Sequence, residues 1–306
     1  MNALTFDEST PLTPRASVRA ARTEALSFLR KWPAAFPHMV AIHIDPVTHK
    51  KGLVEGRSFS PEDLSRGGLA DCYVTDRHGK ANLYFTVNSL LVPMTGKPAK
   101  TDIYEVSALQ IDADVPAGEN QEAGVAKLLA DVRAFRLPPS VIISSGGGVQ
   151  AFWILRPEDR IKIGGDITKA EAAECYGRGL EDEFNAMGVK VDPCHNVDRM
   201  MRLPGPLNIP DDKKIAKGRM PALAKLVEFT DVTYPLSAFT PAKPKPETDK
   251  SGAASLVLSG KYERIEADDP RLAGLHDKWK QMGPEGECYS EYGDDRSRAV
   301  MAFAAA

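Results

Sequence analysis

Apolar residues recur along this chain at two spacings, and the switch between them predicts a mixed α+β fold. Residues 16–32 repeat at helical spacing until Pro33 and Pro37 stop them. MVAIHI (39–44) and ANLYFTV (81–87) read as strands, and YEVSALQID (104–112) is the strongest strand signal in the chain. Val125, Leu128, Leu129 and Val132 fall at i, i+3, i+4 and i+7, which predicts an amphipathic helix over 120–136 ended by Pro138 and Pro139. SVIIS (140–144) and QAFWIL (150–155) flank Gly146, Gly147 and Gly148, the pattern of a hairpin with glycines at its tip. Thr168 and Glu171 form a capping-box pair for a helix running to about Met187, closed by Gly188. VKVD (189–192) reads as a short strand leading into a long loop.

The same pattern organises the chain. Residues 1–15, with Pro11 and Pro14, read as a loose arm ahead of a main domain ending near residue 239. TPAKPKPETDKSG (240–252) has the composition of a linker, and 253–306 is charged and helical in pattern. The chain stops within an amphipathic run, so the expectation is an N-terminal piece of a longer protein, divided into 1–239, 240–252 and 253–306.

Composition narrows the function classes. Of 306 residues, 42% are hydrophobic and 26% charged, enough for a true core. Lys and Arg number 39 against 42 Asp and Glu, a net charge of −3, which excludes a uniformly basic coat but not a local basic groove. No apolar run is long enough for a membrane span, no signal-peptide pattern opens the chain, and no GxxxxGK[ST] phosphate loop occurs. The cysteines, Cys72, Cys175, Cys194 and Cys288, form no CxxC pair, which speaks for free thiols in a reducing compartment rather than structural zinc.

Three segments carry candidate chemistry. Asp112 and Asp114 close the strongest strand, where i and i+2 share a face, so two carboxylates project side by side. They repel unless a cation lies between them, and an all-oxygen donor pair suits Mg²⁺ or Mn²⁺. The Ser144–Gln150 turn lets backbone amides converge on an anion, with Ser145 and Gln150 as further donors. The third segment, 191–208, places Asp192 at a strand end, followed by Asp198, Arg199 and Arg202 and a stiff Leu-Pro-Gly-Pro run. Arginine suits bidentate phosphate binding. Between 190 and 219 seven basic residues (Lys190, Arg199, Arg202, Lys213, Lys214, Lys217, Arg219) face four acidic ones, a local excess of three positive charges. Cys194 and His195 lack partners at ligand spacing and read as structural.

In order, these segments are strand–DxD, SGxGx followed by Gln150 where a histidine is usual, and hydrophobic–Asp followed by DRxxRLPGxxN. This resembles the archaeo-eukaryotic primase superfamily, in particular the primase-polymerase catalytic domains of plasmid and phage replication proteins, over roughly residues 80–215. The resemblance implies an α+β fold: an RRM-like antiparallel catalytic sheet with flanking helices, plus a smaller N-terminal α/β unit. It implies that Asp112, Asp114 and Asp192 hold two divalent ions, Mg²⁺ or Mn²⁺, and that Ser145, Gly146, Gly147, Gly148, Gln150, Arg202 and Asn208 contact the nucleotide. Asp198 would orient Arg199 or Arg202. The implied activity is two-metal, template-dependent nucleotidyl transfer releasing pyrophosphate, with single-stranded DNA template and nucleoside triphosphates as partners. A helicase domain or partner beyond the C-terminus and a cytoplasmic setting, in a prokaryotic cell or phage-infected host and away from any membrane, complete that expectation. Tyr84, Phe85 and Trp153 are candidates for stacking template bases, although each lies in an apolar strand. Two other readings stay open: another two-metal nucleotide enzyme such as a cyclase, and a weak or inactive RRM-like module that binds a single strand or an origin.

Overall fold

The computed structural model of the protein describes residues 14–243. Of the expected arm over 1–15, residues 1–13 lie outside the described residues, as do the linker beyond residue 243 and the helical segment 253–306, while Pro14 and Arg15 open the first helix instead of belonging to an arm. Helix α1 (Pro14–Lys31) is followed by strands β1 (His38–Ile44) and β2 (Lys51–Ser58), helix α2 (Leu69–Arg77) and strand β3 (Ala81–Thr86). Short strand β4 (Ser89–Leu90) leads to β5 (Ile103–Val106), β6 (Ala108–Asp114) and helix α3 (Gln121–Arg133). Strands β7 (Val141–Ser144) and β8 (Gly148–Ile154) make the expected hairpin, and β9 (Ile161–Lys162) precedes helix α4 (Ile167–Ala186). Beyond it come β10 (Met200–Arg202), β11 (Leu207–Asn208), the single turn α5 (Asp212–Ile215), β12 (Ala222–Leu223) and β13 (Lys225–Phe229). Among the described residues no helix is long and apolar enough to cross a membrane.

The fold is α+β, built on two four-stranded antiparallel sheets with orders β10-β3-β1-β2 and β13-β7-β8-β6. In the second sheet, β6, α3, β7, β8 and α4 follow one another as in an RRM, with β8 between β6 and β7. The RRM's last strand, which would flank β6, shrinks to a single bridge between Asp112 and Asp192. The predicted strand over 189–192 is therefore one bridged residue, and the next amide able to extend the ladder, that of Cys194, donates to Glu181 instead. Strand β13 adds instead to the far edge, on β7.

Every residue of β8 is buried, since the sheet is covered on both faces. Val149, Ala151 and Trp153 pack with α3 and α4 residues such as Leu128, Val132, Leu180 and Phe184. The alternate residues Phe152 and Ile154 join Val141 and Ile143 against Phe28, Trp32, Phe85 and Met201 of the N-terminal unit. Period-two alternation thus survives in the packing, but it is invisible in the sequence because both faces are apolar.

The structure corrects several expected elements. The run 104–112 is two strands of different sheets, parted at the fully buried Ser107. The Ser107 amide donates to Asn88 Oδ1 at 3.0 Å and its hydroxyl lies 3.1 Å from that of Ser89, so polar side chains end one ladder there and the chain changes sheets. Helix α4 is capped by Asp166, whose carboxylate accepts from the amides of Thr168 and Lys169, not by Thr168. Residues 240–243, placed in the linker, lie against α4: the Ala242 amide donates to Cys175 O at 2.9 Å, and a Cβ at Gly179 would sit 1.9 Å from Thr240 O. Strand β2 escaped notice because its first four residues are all exposed and carry no apolar alternation. The N-terminal unit also borrows its edge strand, β10, from the third motif.

Trp153 centres the α3–α4 face: it is fully buried, packs on Phe135 and Phe184 at ring-centroid distances of 5.5 and 5.7 Å, and donates its indole N–H to Leu137 O at 2.8 Å. Trp153→Ala leaves a large cavity and a carbonyl without its donor, and is expected to destabilise the fold by about 3–5 kcal/mol in chemical denaturation.

Candidate active site

The acidic end of β6 meets two other segments. Asp112 and Asp114 share one face of β6, and the bridge brings Asp192 alongside, its amide donating to Asp112 O at 2.7 Å. Facing residues of an antiparallel pair point to the same side, so the Asp192 carboxylate joins the other two. Burial, then the neighbouring charge of Asp114 and more weakly that of Asp192, push the Asp112 carboxyl up to about 6, while Arg199 and a hydrogen bond from Gln150 oppose the rise. Asp114 has its own counter-charge, Lys214 Nζ at 3.8 Å.

Arg199 acts on Asp112 by its charge, and Arg202 reaches the site through the bond of its amide to Gln150. Arg202, 6% exposed on β10, lies with its guanidinium 4.3 Å over the Tyr84 ring and donates to Tyr84 Oη at 3.0 Å. Its Nη1, together with Arg199 Nε and Asp198 Oδ1, is buried without a hydrogen-bond partner. The expected ion pair from Asp198 to Arg199 or Arg202 is not formed. These are strongly polar atoms in a desolvated place, and a ligand that satisfied them would gain the hydrogen bonds they lack.

Gln150 takes a part the sequence did not suggest. It faces Asp112 across β6 and β8, is 5% exposed, and accepts the Arg202 amide at 2.9 Å while its NH₂ serves the Asp112 carboxylate. The amide oxygen and an N–H of Gln150 are thus engaged inside the protein, where Gln150 ties the carboxylate to β10. Gly148 likewise serves the acids: a Cβ there would lie 2.2 Å from Ala113 O and 2.9 Å from Asp114 Oδ1. Gly146, at φ +88°, makes the turn, and among the described residues the amides of Gly146 and Gly147 donate to no protein acceptor. Ser145 is buried, its carbonyl accepting from Asn208 Nδ2 at 2.6 Å, which fastens β11 to the turn.

Beside that turn lies a small open cleft lined by Gln121, Gly146, Gly147, Asn208, Lys214 and Arg219. Arg219 holds itself there by donating to Val115 O, and Gln121 by donating to Gly146 O. Sequence reasoning missed Gln121, Lys214 and Arg219 as individual site residues. The signal for the two cations was the excess of basic residues over 190–219. Of the proposed stacking residues, Phe85 and Trp153 are wholly buried in the two cores and cannot meet a base, and Tyr84 is covered by Arg202.

The long loop is held from behind by buried glutamates of α4. Glu181 accepts the Cys194 amide at 2.6 Å and lies 2.9 Å from His195 Nδ1; Glu174 accepts the Val197 amide at 3.1 Å; Gln110 Nε2 donates to Cys194 O at 2.7 Å. Cys194 and His195 are structural, as expected, and this clamp sets where Asp192 and Arg199 emerge.

The oxygen-only donor set of Asp112, Asp114 and Asp192, one carboxyl already perturbed by its neighbours, is chemically suited to hard divalent cations. Among the described residues, however, no group of three or more His, Cys, Asp or Glu side chains is drawn together in a geometry that could hold a metal ion. Arg199 and Lys214 supply the positive charge instead.

No family model matches the chain, and no curated protein matches it. Two solved structures are similar to it. A crystal structure of the primase RepB' is 14% identical, with 94% of this chain and 80% of that one covered, at a TM-score of 0.38. A crystal structure of the catalytic domain of primase RepB' in complex with initiator DNA is 14% identical, with 71% and 87% covered, at a TM-score of 0.38.

Because the folded Asp112 carboxyl titrates above its unfolded value, the stability it contributes is full at low pH and lost as pH rises through about 6. In metal-free buffer, Asp112→Asn is expected to stabilise the fold by about 2–3 kcal/mol at pH 8 and hardly at all at pH 4, read by denaturant titration at each pH.

Proposed function

We propose that this chain is a template-dependent nucleotidyltransferase, a DNA primase or primase-polymerase, that uses Mg²⁺ or Mn²⁺ at Asp112, Asp114 and Asp192. The observation that carries the reading is the bridge that sets Asp192 beside Asp112 at the end of β6, with Asp114 two residues on and arginine nitrogens nearby that are buried without partners. Acids that need cations beside cations that need an anion suit a metal–triphosphate substrate. Divalent ions bound there would activate the attacking 3′-hydroxyl and neutralise the departing pyrophosphate.

The chain's own groups have separate tasks in this reading. The Gly146 and Gly147 amides, Lys214 and Arg219 offer donors to phosphate oxygens in the cleft. Arg202 and Arg199 also meet the nucleotide, with Tyr84 holding the Arg202 guanidinium in place. Asn208 keeps the turn in position, and Gln150 keeps Asp112 aimed at the site. Lys214 and Arg199 would exchange their carboxylate partners for phosphate as the cations enter, so the net charge of the site changes little. Single-stranded DNA template, a cytoplasmic replication setting and a helicase beyond residue 306 belong to the same reading. A non-catalytic single-strand-binding module is favoured by one observation, the lack of a ready metal-holding group among the described residues.

Incorporation of labelled nucleotides on a DNA template, with Mg²⁺ or Mn²⁺ and with or without a primer, separates the two. Wild-type protein is expected to incorporate nucleotide, EDTA to stop it, and Asp112→Ala or Asp114→Ala to reduce the rate by roughly 10²–10³. Wild-type rates in either variant would remove the metal assignment to these aspartates, and no synthesis by the wild type would overturn the polymerase reading in favour of the binding module. Arg202→Ala is expected to raise the apparent KM for nucleotide about tenfold or more, the loss of one charge-assisted contact.

A further inference from the structure

A concentration of positive charge outside the acidic site lies on α1. Arg19, Arg22, Thr23, Leu26 and Arg30 follow one another at helical spacing along one face, and with Arg66 and Asp71 they line an open groove. Four guanidinium groups face one carboxylate there, a surplus of three positive charges in a chain whose net charge is −3.

Part of this set is structural. Arg22 lies 3.5 Å from the buried Asp71 carboxylate, and Arg30 donates to Leu64 O. Arg19 and Arg66 are exposed and, among the described residues, have no acidic partner. Leu26, 4% exposed, belongs to the core beneath the groove, and the Thr23 hydroxyl is already used on Arg19 O at 2.8 Å. Nothing in the fold therefore needs all four arginines to converge.

The shape selects among anions. From Arg19 to Arg30 the helix rises about 16 Å, too long for one phosphate but the span of several consecutive phosphates of a nucleic-acid strand. Guanidinium forks suit such oxygens. The groove is also distinct from the acidic site. On the sheet β10-β3-β1-β2, Phe85 and Met201 point into the core shared with α1, whereas their neighbours Tyr84 and Arg202 point to the opposite face. Helix α1 thus stands between the groove and that sheet.

We propose that this arginine groove binds the phosphate backbone of a DNA strand, as an anchoring site separate from the acidic centre. The binding is electrostatic and sequence-independent, so it should appear in the salt dependence. Full-length protein is titrated with labelled oligothymidylate over a NaCl series, without nucleotide or divalent ion. Removing two phosphate contacts should make the slope of log K against log[NaCl] shallower by about 1.4 in Arg19→Ala/Arg66→Ala, with weaker binding at low salt. Arg19→Lys/Arg66→Lys should keep the wild-type slope, and Lys169→Ala, on the remote helix α4, should not change it. An unchanged slope in the alanine pair, an equal loss in the lysine pair, or no oligonucleotide binding by the wild type would overturn the proposal. The readout needs no catalysis, so its failure and a failure of the Asp112 incorporation test are separate results.

Discussion

Asp112, Asp114 and Asp192 stand together at the end of a strand, and the repulsion among them has to be met by something positive. The surrounding structure is arranged around that demand. Arg199 faces Asp112, Lys214 reaches Asp114, and the Gln150 amide gives Asp112 a hydrogen bond that its buried position would otherwise deny it. Gly148 is small because a Cβ there would collide with the Ala113 carbonyl and crowd the Asp114 carboxylate. A cluster of like charges is unfavourable for folding, and it persists where the rest of the fold is stable enough to hold it.

That support comes from two cores on either face of one sheet. The α3–α4 side holds the sheet through Trp153, Phe135 and Phe184, and the N-terminal unit holds the other face through Phe28, Trp32 and Phe85. The loop carrying Asp192 and Arg199 makes no regular strand until β10, yet the glutamates of α4 pin its amides one by one. Strand β10 then crosses to the N-terminal sheet, so Arg202 belongs by packing to one unit and by the Gln150 hydrogen bond to the other. The acidic site thus lies where the two sheets meet, beside an apolar core that joins Phe85 and Met201 to Phe152 and with the polar Gln150–Arg202 bond at its edge.

Much of the site was legible in sequence because its logic is local. The DxD pair needs only the two-residue repeat of a strand to place both carboxylates on one face, and the glycine turn needs only two flanking apolar runs. The basic excess over 190–219 pointed to Lys214 and Arg219 without saying which residues would converge. The partner of Gln150 was hidden, because Arg202 lies 52 residues away and the bond uses its backbone amide. The break at Ser107 was hidden for a similar reason: Asn88 and Ser89, distant in sequence, supply the bonds that end one ladder.

Local periodicity alone therefore determined the helices α1, α3 and α4, the hairpin β7–β8 and the carboxylate pair on β6, since each depends on spacings within a single element. Tertiary structure decided the rest: the change of sheet at Ser107, the reduction of 189–192 to one bridge, and the inward commitment of Gln150. Hydrogen bonds and desolvation act between segments brought together only by folding, and no periodicity within one segment records which partner it will meet.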